Sequence, residues 1–307
     1  MLLYTCKRLL MLIPVVIGIS FLVFLVLSLS PGDPVALMVP PGTPMDQIEA
    51  LRVEMGLDQP IIVQYVNYML RAVRLDFGTS WFQGFNVFNE FTHRLPFTLA
   101  LAAYATLFAT IFGIPAGIFS AVRHNTAPDY VITVLSLFFN AAPTFWLGMM
   151  FQVFFSLHLG ILPASGADSW RHFVLPVIAV GGNLLAFNSR MTRTWLLDVI
   201  RSDYVRTARA KGNKEYAVVV KHALRNSLLP VITQIGVGFA GIVGGSLVAE
   251  NVFAFPGIGS FLNVAVRAND IPIVVGSIIV ISIFVGIINL MVDLLYAVID
   301  PRFQFDK

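Results

Sequence analysis

Uncharged apolar stretches alternate with charged segments along the whole chain. Six windows contain no Asp, Glu, Lys or Arg, and they cover residues 9–32, 95–122, 130–167, 172–189, 226–249 and 271–292. A helix rises about 1.5 Å per residue, so about 20 apolar residues cross a hydrocarbon core about 30 Å thick. The fourth window is the shortest. The pattern predicts an all-α polytopic membrane protein with six transmembrane helices.

The charged stretch between the first two windows is too long for a simple turn. Pro31-Gly32-Asp33-Pro34 ends the first helix, because proline lacks an amide donor and glycine frees the backbone. Residues 46–56 and 60–75 have apolar positions at helical spacing, which predicts short amphipathic helices on the membrane surface. We expect residues 31–96 to form an extramembrane segment within a single membrane domain, residues 1–307.

The basic residues determine the predicted orientation, because Lys and Arg in short loops are retained on the cytoplasmic side. With the N-terminus inside and six spans, fourteen of the twenty basic residues are cytoplasmic, and nine of these lie between Arg190 and Arg225. The six on the opposite side are Arg52, Arg71, Arg74, Arg94, Arg171 and Arg267. Both termini are therefore predicted inside, and the segment 31–96 is predicted to be extracytoplasmic.

Composition narrows the function classes further. Hydrophobic residues make up 57% of the 307-residue chain and charged residues 12%. A typical soluble domain has about 25% charged residues, so a soluble enzyme and a disordered scaffold are excluded. The single cysteine, Cys6, can form no intramolecular disulfide. The net charge of +3 does not indicate nucleic-acid binding, because the basic residues cluster in one loop.

The sequence lacks patterns for catalysis or metal binding. No Gly-x-x-x-x-Gly-Lys-Ser/Thr string is present, so the chain has no P-loop for ATP. The five histidines stand singly, without a Cys or a second His at ligand spacing. Ser246 follows two glycines but lacks the trailing glycine and the nearby His base of a serine hydrolase. We therefore expect a membrane protein that is not an enzyme and that binds no cofactor and no metal.

Two acidic residues lie at the ends of predicted spans, where an ion-coupled transporter would need charge. A charge in mid-membrane costs at least about 2.5 kcal/mol, so it is normally retained for function. For Asp293, pairing with a basic loop residue near the cytoplasmic interface is favoured over a proton relay. For Glu250, the competing interpretation is a residue at a helix end that caps the following loop.

The loop between the fourth and fifth windows carries the most specific pattern. Residues 203–226, which we call the knob, contain two helical stretches that meet at Gly212, a residue suited to end a helix in the left-handed conformation. Arg209 and Lys211 lie in the last turn, where the helix dipole favours cations. The charge alone would fit a topology signal or a patch for anionic lipid. The small residues before Gly212 indicate that something packs closely there.

Short strings at the knob and elsewhere follow a recognisable order. The knob and its exit contain Arg-Thr-Ala-Arg-Ala-Lys-Gly at 206–212 and His-Ala-Leu-Arg-Asn-x-Leu-Leu-Pro-Val at 222–231. Both resemble the coupling motif of permeases from binding-protein-dependent ABC importers, in the peptide and nickel branch. The general motif begins Glu-Ala-Ala, whereas Arg206 and Thr207 stand here, and only Ala208 and Gly212 agree. Further similar strings occur at 31–34, 56–60, 64–65, 76–80, 250–259 and 292–302.

This resemblance implies a subunit that works with other proteins in the bacterial inner membrane. The implied partners are a homologous second permease, two ATP-binding subunits that use ATP and Mg²⁺, an extracytoplasmic solute-binding protein, and membrane lipid. The coupling loop, residues 196–227, is expected to dock in the ATPase. The implied coupling residues are Arg206, Thr207, Ala208, Ala210, Lys211, Gly212, Val219, His222, Ala223, Arg225 and Asn226. The solute-binding protein is expected to touch the segment 31–96, with Asp33 and Asp76 as candidates.

The translocation pathway is expected between the two permeases, along the third and fifth spans. Asn140, Pro143 and Thr144 make the third span polar and kinked. Gly241 and Gly245, with three neighbouring glycines of the fifth span, allow close approach of another helix. Packing within one subunit explains any single glycine at least as well. The three neighbours are Gly236, Gly238 and Gly244.

The expected solute is a di- or oligopeptide, or a related small solute such as glutathione or a nickel chelate. Its choice is expected to lie mainly with the separate binding protein. An ion-coupled secondary transporter is the alternative, and it would stop when ion gradients collapse, whereas an ATP-driven importer would not. A membrane-embedded enzyme would need clustered catalytic groups, and a structural anchor would need no shaped knob.

Overall fold

The computed structural model describes residues 2–30, 34–214, 217–218, 223–224 and 229–299. Apart from an isolated antiparallel bridge between Thr79 and Asn86, the regular structure in these ranges is helical, which confirms the predicted all-α class. Residues Gln152–His158 continue α7 as a π-helix. The helices are α1 (Leu2–Ser28), α2 (Pro34–Met38), α3 (Met45–Glu54), α4 (Ile61–Ala72), α5 (Val87–Val122), α6 (Ala127–Ala141), α7 (Thr144–Phe151), α8 (Trp170–Ile200), α9 (Asp203–Ala210), α10 (Leu229–Gly245), α11 (Leu247–Val252), α12 (Ile258–Ala268) and α13 (Ile271–Ile299).

Length and apolar character single out the helices that can cross a membrane. In the described ranges α1, α5, α8 and α13 qualify alone. The pair formed by α6 and α7, with its π-helical end, also qualifies, but the two halves are bent by 105°. The remaining predicted span corresponds to α10, which is apolar but has only 17 residues. Four or five spans are therefore supported by length, against the six predicted.

The fourth span is longer than the window that predicted it. The window ends at Ser189, whereas α8 continues through Arg190 and Arg193 to Ile200 and has 31 residues. Both arginines have hydrogen-bond partners on α6, so the helix carries them without a break. An uncharged window therefore underestimates the length of a helix whose charged residues have hydrogen-bond partners.

The charged segment after α1 forms a cap, which we define as residues 34–86. Its helices α3 and α4 confirm the two helices predicted there. The Tyr65 hydroxyl donates to the Ile17 carbonyl of α1 over 2.9 Å. The Tyr68 hydroxyl donates to the Pro272 carbonyl of α13 over 3.0 Å, and burial raises the pKa of Tyr68 so that it stays protonated. The cap is thus fastened to both α1 and α13.

The two ends of the helix bundle are built from different parts of the chain. At the cap end, Phe24 of α1, Phe91 of α5 and Ile279 of α13 belong to one buried apolar cluster with the cap. At the opposite end, which we call the knob end, α9 packs on the last turns of α5 and α8. Arg8 and Asp293, at the ends of α1 and α13 away from the cap, pair over 3.1 Å.

Small residues bring α5 and α8 together backbone to backbone. A Cβ added to Gly113 would lie 2.8 Å from the carbonyl oxygen of Leu185. One added to Gly181 would lie 2.8 Å from the carbonyl oxygen of Ala105, and Gly117 is in still tighter contact with α8. Such spacing leaves no room for a side chain. The α5–α8 pair therefore forms a closely packed unit that runs from the cap end to the knob end.

Candidate functional site

The first part of the candidate site is the knob, whose described helix is α9. Gly212 follows the helix with φ of +77°, as predicted for a left-handed cap. The amide of Asn213 donates from its side chain to the Ala208 carbonyl over 2.9 Å, which closes the helix end. Val205 and Ala208 are buried in one apolar cluster with the ends of α5 and α8. The knob is therefore seated directly on the α5–α8 pair.

The predicted coupling residues divide into three groups. Five are exposed, and they are Arg206, Thr207, Ala210, Lys211 and Gly212. Two are buried within the chain, and they are Ala208 and Ala223. Both alanines belong to the apolar cluster that seats the knob on α5 and α8, so neither presents surface in the described structure. Four lie outside the described residues, and they are Val219, His222, Arg225 and Asn226.

Beneath the knob, a buried ion pair joins α6 to α8. Asp129 is only 1% exposed and accepts two hydrogen bonds from Arg193, of 2.7 Å to Oδ1 and 2.9 Å to Oδ2. The Ser120 hydroxyl donates to Oδ1, the Asn125 amide donates to Oδ2 over 3.0 Å, and His124 Nδ1 lies 3.3 Å from Oδ2. These partners offset the cost of burying the charge. We call Asp129, Arg193, Ser120 and His124 the clamp.

The clamp was missed in the sequence. Its two charges are 64 positions apart, and no motif joins them. A usable signal was available, because Asp129 is the only acidic residue between positions 91 and 167. A carboxylate at the start of a span needs a cation, and the predicted topology puts Arg193 at the same membrane face. The single acidic residue in this part of the sequence and the predicted topology could therefore have suggested the Asp129–Arg193 pair.

The third part of the site is a cleft of about 480 Å³ between α7, α8 and α10. Three of the predicted pathway residues line it, and they are Thr144, Gly241 and Gly245. Asn183 of α8 and Gln234 of α10 add amide groups to its wall, and Phe187 adds an aromatic ring. The cleft therefore offers both polar and apolar surface to a ligand.

The other two predicted pathway residues lie beside the cleft. Pro143 precedes α7 at the 105° bend, so the predicted kink is confirmed. Asn140 lies one turn before the bend, where its Oδ1 accepts a hydrogen bond of 3.3 Å from Arg190 Nη2. Asn140 thus connects the bent span to α8.

The glycines of α10 have two kinds of surroundings. Gly236 and Gly238 pack tightly against side chains of α13 and α8 within this chain. Gly241 and Gly245, in contrast, have no atom within 4 Å of a built Cβ, and both face the cleft. The close approach predicted from the sequence is therefore intramolecular for the first two, whereas the second two form an open wall.

At the cap end of the cleft, the fully buried Glu250 organises the loop after α11. Its Oε1 accepts from the hydroxyls of Thr98 and Ser246, each over 2.8 Å, and its Oε2 accepts from the Ser260 amide over 3.0 Å. A Cβ on Gly259 would lie 2.9 Å from Oε2, so the loop packs directly on the carboxylate. The interpretation of Glu250 as a loop-capping residue is confirmed.

Asp293 has the type of partner that was predicted, but in a different place. Its Oδ2 lies 3.1 Å from Arg8 Nη2, and the Tyr4 hydroxyl donates to the same oxygen over 3.4 Å. Arg8 lies within α1, so the prediction of a loop partner was wrong. The pair joins the two ends of the described chain instead of serving a relay along a span.

The two candidates for contact with a solute-binding protein differ in what the structure describes. Asp33 lies outside the described residues. Asp76 is exposed on the cap, and its Oδ1 accepts a hydrogen bond of 2.9 Å from the Gly78 amide. Its carboxylate therefore shapes a surface turn and remains accessible to a partner.

The turn that contains Asp76 also anchors the cap through a second, buried carboxylate. The Ser80 hydroxyl and the Trp81 amide donate to Asp270 Oδ2 over 2.7 and 3.1 Å. Burial raises the pKa of Asp270 above its usual value, while these hydrogen bonds oppose the shift. The Asp-Phe-Gly-x-Ser string at 76–80 thus attaches the cap to the start of α13.

Acidic and histidine side chains in the described ranges do not gather into a metal site. No group of three or more His, Cys, Asp or Glu is placed there to hold an ion. The nearest approach is His124 beside Asp129, and the Arg193 guanidinium, 3.0 Å from His124 Nδ1, already supplies the positive charge. The site consists of the knob, the clamp and the cleft.

Two family matches cover most of the chain. Residues 113–305 match the family described as "Binding-protein-dependent transport system inner membrane component". Residues 1–102 match the family described as "Binding-prot-dependent transport system membrane comp, N-term". Together they place both the cap and the knob inside known permease sequence, which confirms the family that the knob strings suggested.

Individual relatives agree with the family. The glutathione transport system permease protein GsiC of Escherichia coli K12 is 42% identical over 305 residues, which are 99% of this chain and 100% of that protein. GsiC of Shigella dysenteriae serotype 1 gives the same values. The fold is similar to a chain of the inward-facing MetNI methionine ABC transporter, with a TM-score of 0.60, 18% identity, and coverage of 68% and 96% of the two chains. This chain belongs to the binding-protein-dependent transport family, as an inner-membrane permease subunit of an ABC importer.

Proposed function

We propose that the chain is one of two homologous permeases of an ATP-driven importer, and that it moves small peptides or peptide-like solutes inward. Glutathione, a tripeptide, is the first solute to test, because the GsiC relatives are named as its permeases. The knob carries the proposal. Its exposed cationic face and its buried attachment to the α5–α8 pair suit a lever that a partner moves.

Six crossings with both termini inside belong to this proposal. The Arg8–Asp293 pair holds the start of α1 beside the end of α13, away from the cap. The hydrogen bond from Thr98 to Glu250 holds the chain after α10 beside the start of α5, at the cap end. With α9 seated at the knob end, α10 has to run between the two ends despite its length. These contacts support six passages.

The partners in this proposal divide the work. Two ATP-binding subunits bind ATP and Mg²⁺ and receive the knob through Arg206, Lys211 and their exposed neighbours. A second permease completes the pathway opposite the cleft, and a solute-binding protein contacts the cap near Asp33 and Asp76. ATP can drive the change between inward-open and outward-open states only as far as its affinity differs between those states.

Purification and uptake together test the proposal. Tagged chain should bring down two ATPases and a second permease, and the reconstituted complex should accumulate glutathione when ATP is hydrolysed. Uptake should persist after ionophores collapse the ion gradients. Recovery as a homo-oligomer alone, with uptake that stops with the gradients, would favour a secondary transporter and refute the proposal.

Gly212 provides a sharper test of the knob. Proline fixes φ at about −65°, which is incompatible with the φ of +77° at this position. Gly212→Pro should therefore abolish ATP hydrolysis that depends on the solute-loaded binding protein. Gly212→Asn is the matched control, because asparagine tolerates the left-handed conformation, and it should keep most of this activity. Equal coupling in the two variants would argue against docking through the knob.

A further inference from the structure

Arg190 has no carboxylate partner among the residues that the structure describes. Its Nη2 donates to the side-chain oxygen of Asn140 over 3.3 Å, and its buried Nε has no hydrogen-bond partner. A guanidinium carries five N–H donors in a planar fork that matches a carboxylate. Arg190 therefore retains donors that can bind an incoming anion.

Arg190 follows the α8 residues that line the cleft at helical spacing. Asn183 and Phe187 line the cleft and precede Arg190 by seven and three positions, so the three residues share one helix face. Asn140, which Arg190 contacts, precedes the lining residue Thr144 by four positions. Because α8 runs from the cap end to the knob end, Arg190 lies one turn beyond the lining residue Phe187 on the knob side.

The cleft wall has no acidic residue that could compete for this guanidinium. Its described lining consists of apolar, glycine, hydroxyl and amide residues. Arg190 is the first of the nine predicted cytoplasmic cations in residues 190–225, directly after the uncharged window that ends at Ser189, and it lies ten residues before the end of α8 at Ile200. A charged residue within a spanning helix is costly and is normally retained for a partner. Among the described residues, the guanidinium has only the amide oxygen of Asn140 as a hydrogen-bond partner.

We infer that Arg190 binds a carboxylate of the transported solute, such as the C-terminal carboxylate of a short peptide, at the knob-side mouth of the cleft. This inference rests on the proposed function and specifies the solute class further. Asn140 orients the guanidinium through its side-chain oxygen. Asn183, two turns earlier on α8, can donate a hydrogen bond to the same ligand. A guanidinium without a carboxylate partner favours a free carboxylate over its neutral amide.

The test uses the assembled importer in proteoliposomes with two probes, glutathione and its C-terminal amide. Initial ATP-driven uptake of each probe is measured at saturating binding protein and divided by the occupancy of that protein. Arg190→Gln should lower glutathione uptake by at least about tenfold, the scale of losing a hydrogen bond to a charged group. It should also carry acid and amide equally, whereas the wild type should prefer the acid. Arg190→Lys keeps the charge and should retain part of the preference.

Arg123→Gln is the matched control, because it removes a cation that stacks on Phe119 at the knob end, away from the cleft. It should leave uptake and the preference for the acid unchanged. The inference is overturned if Arg190→Gln keeps the wild-type preference, or if it slows both probes equally while changing ATP hydrolysis. A wild-type importer that shows no ATP-driven uptake would refute the proposed function itself, and the inference with it.

Discussion

Two arginines one turn apart on α8 have opposite surroundings. Arg193 faces α5 and α6, where it makes two hydrogen bonds to the buried Asp129, and its side chain is 27% exposed. Arg190 also contacts α6, but its one described hydrogen bond, of 3.3 Å, goes to the neutral amide oxygen of Asn140. The contrast shows that a charge inside a spanning helix has no single meaning. A charge that is paired with a buried carboxylate stabilises the fold, whereas a charge without such a partner is available to a ligand.

Two sides of α8, one towards α5 and one towards the cleft, differ in how closely they are packed. On the α5 side, Gly113, Gly117 and Gly181 bring two backbones into contact. On the cleft side, Gly241 and Gly245 of α10 face open space. The α5 side of α8 therefore has no room for an added side-chain atom, whereas the cleft side does. Substitutions on the α5 side should lower the stability of the chain, and substitutions on the cleft side should affect transport.

The largest effect on stability is expected at the clamp. Arg193→Met leaves Asp129 as a buried, unpaired charge, which typically costs about 3–5 kcal/mol. Arg190→Met breaks no ion pair and should cost less than about 1 kcal/mol. Thermal unfolding of the purified full-length chain in detergent measures both changes. Similar losses in the two variants would remove the distinction between the arginines.

A double variant sharpens the same point. Asp129→Leu combined with Arg193→Met removes both charges, so no uncompensated charge remains. It should recover much of the stability lost in Arg193→Met alone. If the two losses add instead, the residues act independently and the clamp is not a coupled pair.

An intermediate effect is expected from glycines on the two faces. Gly117→Ala forces a methyl group against the α8 backbone and should destabilise the chain by about 1–3 kcal/mol. Gly241→Ala meets no atom within 4 Å, and it should be neutral or slightly stabilising, because alanine favours a helix by about 0.5–1 kcal/mol over glycine. Unfolding temperatures of the two variants measure this difference, and equal values would contradict the packing described.

The smallest effect concerns Asp270, a buried carboxylate whose described partners are a hydroxyl and backbone amides. Because its pKa is raised in the folded chain, the folded state binds the proton more tightly than the unfolded state. Its destabilising contribution is present above the raised pKa and declines as the pH falls towards the ordinary value. The unfolding temperature of the wild type should therefore rise relative to that of Asp270→Asn between pH 7.5 and pH 5. A constant difference would show that burial does not perturb this group.

The sequence predicted best what depends on neighbours in the chain. The apolar windows located α1, α5 and α13, and the signals around Gly212 located the end of α9, because spanning length and helix capping are local properties. The bend at Pro143 was also predicted, since proline acts on the preceding turn.

What remained unpredicted depends on contacts between distant parts of the chain. The clamp joins residues 64 positions apart, and only the packing of α6 on α8 decides that Arg193 receives the carboxylate and Arg190 does not. The glycines of α10 look alike in the sequence, yet Gly236 packs on a neighbouring helix and Gly241 faces the cleft. Helical periodicity places them on different faces but does not say which face is filled.

α5 passes without a break from the cap to the knob end. It has 36 residues and includes Pro96 and Pro115. Its N-cap is Asn86, whose side-chain oxygen accepts a hydrogen bond from the Asn89 amide over 3.1 Å. A chimera joined within α5 would have to preserve its register against α8, and one joined at Asn86 would have to rebuild the contacts of the cap with α1 and α13. The cap is therefore not an exchangeable module. Its exposed surface is expected to diversify through point substitutions, while the segment stays with the helix bundle on which it packs.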